Sequence, residues 1–402
     1  MAADPARAPE RLGRHFILVV AAATFYFVGL GILAPVLPRY VKDVLKGGGV
    51  EVGVVVGAFA VSAAVLRSWV GRQGDRRGRR VLVVGGCAAV GLTIFGYGLD
   101  GIATLILLRL VSGAGEAAVF VGAATTAQDL APPDRRGQAA SYFSIAVYGG
   151  LALGPPIGEW IYRGHGPDTV WAVSGSLCLV ASLVGATMPA GMRAPSWPSG
   201  APRRGFLHPA AVRPGIILTL GGMGYAGFSA FVPLYVDHLG IKSAGPVFIE
   251  YALIVLSVRV VGSRLPDVLG SRRGPLVALA LQACGLLAMG AWGTALGLYV
   301  STAIYASGVS LLYPALFPIV VDAAPEAERS HAIGTFTLFF DLSQGLGAPL
   351  LGLVVAATSE RGAFAAAGLA SALGWWLHRA TPRPATALTS ASASRPPPEI
   401  GD

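Results

Sequence analysis

The chain has 402 residues, of which 54% are hydrophobic and 13% charged, and its formal net charge is +9. Soluble domains carry roughly 25% charged residues, so a water-soluble globule of this make-up would expose far too much apolar surface. The positive balance does not point to nucleic acid, because the arginines fall in short loops between apolar runs, where cations orient a membrane protein.

A polar N-terminal segment (residues 1–15) holds Arg7, Arg11 and Arg14. The apolar run behind it is too long for a signal-peptide core and reads as a retained first helix. Helices are predicted over residues 16–38, 50–71, 81–97, 102–127, 139–162 and 170–188, which group as a first bundle over 16–188. Residues 189–213 are rich in Pro, Gly, Ser and Arg and read as a linker. Further helices are predicted over 214–236, 247–265, 276–292, 298–321, 332–357 and 363–377, a second bundle spanning 214–378. The tail, 379–402, is rich in Pro, Ser and Ala and is expected to be disordered. Apolar runs near 18 residues suffice to cross about 30 Å of hydrocarbon as helices. The three cysteines, Cys87, Cys178 and Cys284, each lie in such a run and read as buried apolar thiols, with no disulfide framework and no metal spacing.

Charge placement fits twelve crossings. With the N-terminus inside, the inner segments take most of the arginines, while the outer ones hold only Arg39, Lys42, Lys46, Arg163, Lys242 and Arg361. The bias predicts a multi-pass protein of the cell's inner (plasma) membrane with both termini, the linker and the tail in the cytoplasm.

The chain also repeats itself. Arg67, Arg72, Asp75, Gly78 and Arg80 align without a gap with Arg259, Arg264, Asp267, Gly270 and Arg272. Pro38, Tyr40 and Val41 echo Pro233, Tyr235 and Val236. Arg136, Ala139, Phe143, Gly154 and Pro156 match Arg329, Ala332, Phe336, Gly347 and Pro349. A six-helix unit copied in parallel implies two halves around a central cavity, the layout of a membrane transporter.

Three motifs carry chemistry. Gly71, Asp75, Arg76, Gly78, Arg79 and Arg80 form a Gly-x-x-x-Asp-Arg-x-Gly-Arg-Arg loop. Glycines there permit close backbone approach, and Asp75 at a helix end can pair with arginines. A purely topogenic arginine cluster needs no Gly or Asp at fixed spacing. This loop resembles the signature of the major facilitator superfamily, and the resemblance implies a latch on one alternating-access state. The second copy, with Asp267, Gly270 and Arg272, departs from the pattern at Leu265, Pro266 and Ser271, so its latch is expected to be weaker. The segment Arg109 to Glu116, with Gly113 and Gly115, resembles the family's fourth-helix segment linked to proton coupling. Charge inside a membrane helix is costly and usually faces a cavity, although Arg109 lies near a helix end from which it can snorkel. Gly150, Gly154, Pro155, Pro156 and Gly158 resemble the Gly-Pro motif of the family's antiporters, which implies a hinge and a seal against leak. Glu159 replaces its final glycine.

Asp341 lies beside Phe339 and Phe340. An acid at such depth suits a proton carrier or cation contact, or a polar contact to a neighbouring Ser or Tyr. Arg259 either neutralises one of the acids or reaches the cytoplasmic end. Tyr26, Tyr148, Tyr225 and Gln344 are candidate substrate contacts, with packing as the alternative for the tyrosines.

No nucleotide-binding loop and no catalytic constellation is present, so ATP is not the expected energy source and neither cofactor nor enzyme activity is expected. The expected fold is all-α: twelve transmembrane helices in two pseudo-symmetric six-helix bundles. The expected function is proton-coupled efflux of a small organic molecule, a drug or natural product, by a monomer whose partners are its substrate, protons and the lipid bilayer. Arg109, Glu116 and Asp341 would carry the coupling. The alternative is proton-coupled uptake of a sugar, organic acid or other nutrient. A non-transporting membrane sensor or membrane enzyme is the reading from a different class.

Overall fold

Glycine and proline set the breaks between the apolar runs. The computed structural model describes residues 13–99, 101–132, 135–188, 207–261, 265–325 and 328–380. The first half holds α1 (Arg14–Leu33), α2 (Val36–Arg39), α3 (Gly49–Arg77), α4 (Arg79–Phe95), α5 (Ile102–Asp129) and α6 (Arg136–Ala186). The second holds α7 (Pro209–His238), α8 (Gly245–Val261), α9 (Leu265–Ala291), α10 (Ala295–Ala323), α11 (Arg329–Ala357) and α12 (Glu360–Arg379). No strand occurs among the described residues.

Nine of the described stretches are long and apolar enough to cross a bilayer. One of them, Tyr142–Ala186, is two crossings. Gly166, at φ 78 and ψ −179, interrupts α6, and Pro167 behind it opens the next helix with its φ already set. The expected loop between residues 162 and 170 is thus reduced to one non-helical residue. With α8, of 17 residues, and α12, whose ends carry Glu360, Arg361, His378 and Arg379, the fold has twelve transmembrane helices in two bundles of six.

Other boundaries moved for local reasons. Pro35 divides the first predicted helix into α1 and α2, and α2, which holds Pro38, runs on past the predicted end into a π-helical turn over Tyr40–Val44. α7 begins at Pro209 rather than at residue 214, because the His208 Nδ1 accepts the Ala210 amide at 3.2 Å and Pro209 takes the first turn. The rest of the expected linker, 189–206, and the tail, 381–402, lie outside the described residues. Gly78 (φ 93) ends α3, and its repeat partner Gly270 (φ 68) interrupts α9, so both halves turn on a left-handed glycine at the same place.

Small residues bring the helices together. Within the first half, Gly150, Gly154 and Gly158 of α6 lie against Phe27, Gly31 and Ile32 of α1, so closely that a Cβ on any of them would strike α1 backbone. Between halves, Gly49, Gly53 and Gly57 of α3 face Gly352, Ala348 and Gly345 of α11, and α6 packs on α8. Cys87 and Cys178 are buried as expected. Cys284 is not. It lies exposed on α9, because its position in the helix faces away from both bundles.

Candidate functional site

The α3–α11 seam runs from the Gly49 end of α3 down to one buried cluster of charge. Arg67, on α3, points its guanidinium between two acids. One terminal nitrogen donates to Glu116 Oε2 on α5 at 3.3 Å and to Asp341 Oδ1 on α11 at 3.1 Å. Its Nε stands 2.9 Å from Asp341 Oδ2, but off the hydrogen-bonding direction. The Phe120 ring lies 5.0 Å from the guanidinium carbon. The side chains are 18% (Arg67), 11% (Glu116) and 10% (Asp341) exposed, enough to keep them in contact with a cavity without surrendering them to solvent.

Two carboxylates share one cation in this cluster. Burying an unbalanced charge is expensive, so a proton on either acid changes how strongly the cluster holds together. The cluster lies across the halves: Arg67 and Glu116 belong to the first, Asp341 to the second.

Arg109, two helical turns before Glu116, lines the same cavity of about 250 Å³. It does not reach the acids' cluster through a hydrogen bond. Instead its Nε donates to the Val55 carbonyl at 3.1 Å and a terminal nitrogen to the Val56 carbonyl at 3.3 Å, with the guanidinium carbon 4.4 Å from the Phe59 ring centre. Arg109 thereby ties α5 to α3 at the level where α3 meets α11.

A second cavity, of about 150 Å³, lies on the side of the second half. Its wall carries Tyr148, Tyr225, Tyr251 and Tyr313, with Gln282 and Arg259 as polar groups. The two cavities share Leu151, Tyr225, Phe340 and Gln344, so they are neighbours across one thin wall. Gln344 donates to the Gly222 carbonyl at 3.2 Å and to Ser343 Oγ at 2.9 Å. Of the tyrosines expected to touch a substrate, Tyr148 and Tyr225 line a cavity. Tyr26 is fully buried and packs edge-on against Phe27, and it lines neither cavity. The sequence left open whether Arg259 neutralises an acid. It does not do so here: it lies 3.8 Å over the Tyr148 ring, and Arg67 is the base that both acids share.

At one end of the bundles, Arg39 of α2 is buried and pairs with Glu159 of α6, with its Nε 2.8 Å from Asp237 of α7. It also donates to the Pro233 carbonyl at 3.2 Å. Lys42 lies 3.7 Å from Glu360, which His238 reaches at 3.2 Å. Of these contacts, Arg39 with Asp237 and the Pro233 carbonyl, and Lys42 with Glu360, join the first half to the second. The Glu159 that breaks the glycine motif is therefore a structural partner of Arg39 and of Arg163, 2.6 Å away.

At the opposite end, Arg79 opens α4, pairs with Asp129 of α5 and donates to the Thr125 carbonyl at 3.1 Å. Arg80 follows it, half-buried, and Arg272 offers its carbonyl to His378 across 3.2 Å. Gly71, Asp75, Arg76 and Asp267 lie outside the residues whose side chains are described. Pro155 lies within continuous helix.

Sequence reasoning missed Arg67 and Arg39 as site residues. Arg67 entered only as a marker of the repeat, and Arg39 only as a loop charge. The available signal was position: each is an arginine set within or against an apolar run, apart from the loop clusters.

The Major Facilitator Superfamily family model matches residues 19–304 and 251–400. An uncharacterised MFS-type transporter of Salmonella typhimurium is 29% identical over 367 residues, covering 88% of this chain and 93% of that relative. Among solved structures, a bacterial homologue of the human lysosomal transporter Spinster, inward-facing and occupied, superposes with a TM-score of 0.75 at 15% identity, covering 90% of this chain and 95% of that one. The peptide transporter POT in complex with alafosfalin superposes with a TM-score of 0.76 at 13% identity, covering 94% and 95%. At these identities the structural likeness speaks to the fold.

Proposed function

The chain belongs to the Major Facilitator Superfamily, and from that premise we propose that it exports a small organic molecule in exchange for protons by alternating access. The Arg67–Glu116–Asp341 cluster carries this reading. One cation shared by two acids is balanced when one acid holds a proton, and losing that proton leaves an unbalanced negative charge between α3, α5 and α11, which changes how the halves hold together there. A carrier needs such a difference in interaction between its two states, because a ligand that meets both alike shifts nothing. Arg109 tunes the cluster by fixing α5 against α3.

The bodies that rock are residues 16–188 and 214–378, joined by 189–213. Gly150, Gly154, Pro155 and Gly158 form the hinge that keeps α6 on α1 as the halves move. The loop with Gly71, Asp75, Arg76, Gly78, Arg79 and Arg80 acts as the latch, with Asp267, Gly270 and Arg272 as its weaker copy. The arginine bias supports placing this loop on the cytoplasmic side of the inner membrane, with both termini. Arg39, Glu159 and Asp237 then close the outer end. The Gly-Pro stripe favours exchange over uptake, and a monomer holds all these parts.

Everted membrane vesicles test the proposal. After respiration acidifies their interior, a transported compound should release protons through the wild-type protein and should not do so through Asp341→Asn. A compound that the purified protein binds, yet that moves no protons in wild-type vesicles, would remove proton exchange from the proposal.

A further inference from the structure

The repeat that pairs Arg67 with Arg259 also pairs their surroundings. In the stretch from α5 through α6 and its copy in α10 and α11, one constant spacing aligns Gly115 with Gly308, Asp129 with Asp322, Pro132 with Pro325, Arg136 with Arg329 and Phe143 with Phe336. At that spacing Glu116 falls on Val309, and Asp341 falls on Tyr148. The packing obeys the same exchange, with α3 on α11 in one seam and α8 on α6 in the other. Arg67 therefore meets two carboxylates, while the equivalent places around Arg259 hold a valine and a phenol ring, and the ring lies under its guanidinium. Arg259, Tyr148 and Val309 all line the tyrosine-walled cavity.

Among the described residues, Arg259 has no acid beside it. Its guanidinium carbon is 3.8 Å from the Tyr148 ring centre, and its Nε is buried without a hydrogen-bond partner. No ion pair reaches it among the described residues. A cation over a ring recovers part of the cost of leaving water, but a guanidinium carries five donors and matches a carboxylate through two of them at once. Nearby, the Gln282 Oε1 is also buried without a partner. The remaining wall is aromatic and apolar, with Tyr225, Tyr251, Tyr313 and Phe340 offering ring faces and edges.

We propose that this cavity binds an organic anion of the aromatic carboxylate class, whose carboxylate takes at Arg259 the place that Asp341 holds at Arg67, while its ring packs among the tyrosines. The inference rests on the transporter reading and names the substrate class of that carrier. The anion would sit one wall away from the Arg67 cluster, with Gln344 and Tyr225 between them. Substrate and proton sites are thus built from the two copies of one ancestral arrangement. One copy kept or gained its acids, and the other receives an acid from outside.

The test is equilibrium binding to the purified full-length protein in nanodiscs of neutral lipid, with no pH gradient. The probes are one- and two-ring aromatic carboxylates, each with its neutral amide and its cationic amine counterpart. At least one carboxylate should bind roughly tenfold or more tightly than its amide, the order expected of a charge-assisted, two-pronged contact. Arg259→Gln should erase that preference and Arg259→Lys should keep only part of it. Tyr148→Asp, which supplies the missing acid, should also erase it, while Tyr148→Phe should retain it and so shows that the site still folds. The proposal is overturned if no carboxylate is preferred over its amide, if the amines bind best, or if the preference survives both Arg259→Gln and Tyr148→Asp. Carboxylate binding that depends on Arg259 without any proton release in vesicles would uphold the anion site and sink proton exchange. Proton release driven by amines or neutral compounds alone would do the reverse.

Discussion

Arg67 and Asp341 stand 274 residues apart in the chain and 3.1 Å apart in the fold, where they join α3 of the first half to α11 of the second. Glu116 shares the same guanidinium nitrogen at 3.3 Å. The contact is buried, crosses between the halves, and holds one more acid than base.

Removing the base alone should therefore be worse than removing base and acid together. Arg67→Gln strands two acids near each other in a buried site, and breaking such a pair costs about 3–5 kcal/mol. Arg67→Gln combined with Asp341→Asn should recover part of that loss. Thermal unfolding of both single variants and of the pair in detergent checks this, and a double variant destabilised by the sum of the two singles would show that Arg67 and Asp341 do not depend on each other.

The Arg39 cluster should respond unequally to its two acids. Glu159 is 2% exposed and Asp237 45% exposed. Glu159→Gln should lower stability by about 3–5 kcal/mol, because it leaves Arg39 buried with one partner fewer. Asp237→Asn should cost at most about 1 kcal/mol, as for a pair that water reaches. Unfolding midpoints of the two variants, compared in the same detergent, decide the order.

The glycine stripe of α6 offers a contrast within one helix. A Cβ at Gly154 would collide with the Gly31 backbone of α1, whereas a Cβ at Gly164 meets nothing within 4 Å. Gly154→Ala should destabilise the protein by about 1–3 kcal/mol or force α1 and α6 apart, and Gly164→Ala should fall within about 0.5 kcal/mol of wild type. Thermal unfolding and membrane yield of both variants provide the check.

Gly270 tests backbone conformation without packing. Its φ is 68, and open space surrounds the position of its missing Cβ. Gly270→Ala should cost about 1–3 kcal/mol from its backbone conformation alone, because φ 68 with ψ 172 is a region that only glycine enters freely. A variant that unfolds at the wild-type temperature would mean that this turn relaxes freely.

The three thiols should separate cleanly. Cys284 is exposed, while Cys87 and Cys178 are buried. An apolar, membrane-permeant maleimide should modify the folded protein at most once, and slowly, because Cys284 lies in a membrane-crossing helix and faces lipid rather than water, and Cys284→Ser should abolish the reaction. Mass spectrometry of the intact protein counts the adducts.

The chain itself determined the properties that depend on counting along it. Apolar runs can be measured against bilayer thickness, arginine bias gives each loop an expected side, and a repeated spacing reveals the duplication. Glu116 and Asp341 were visible as acids within such runs, since charge there is costly enough to need a reason. Only the tertiary structure decided which base meets which acid. Arg67 and Arg259 occupy the same place in the repeat, and their local sequence does not say that one lands between two carboxylates and the other on a tyrosine ring. Glu159 likewise read as a flaw in a glycine motif until α2 brought Arg39 to it. Electrostatic attraction depends on separation in space and on how far water is excluded, and both are set by helices that the chain brings together from opposite halves.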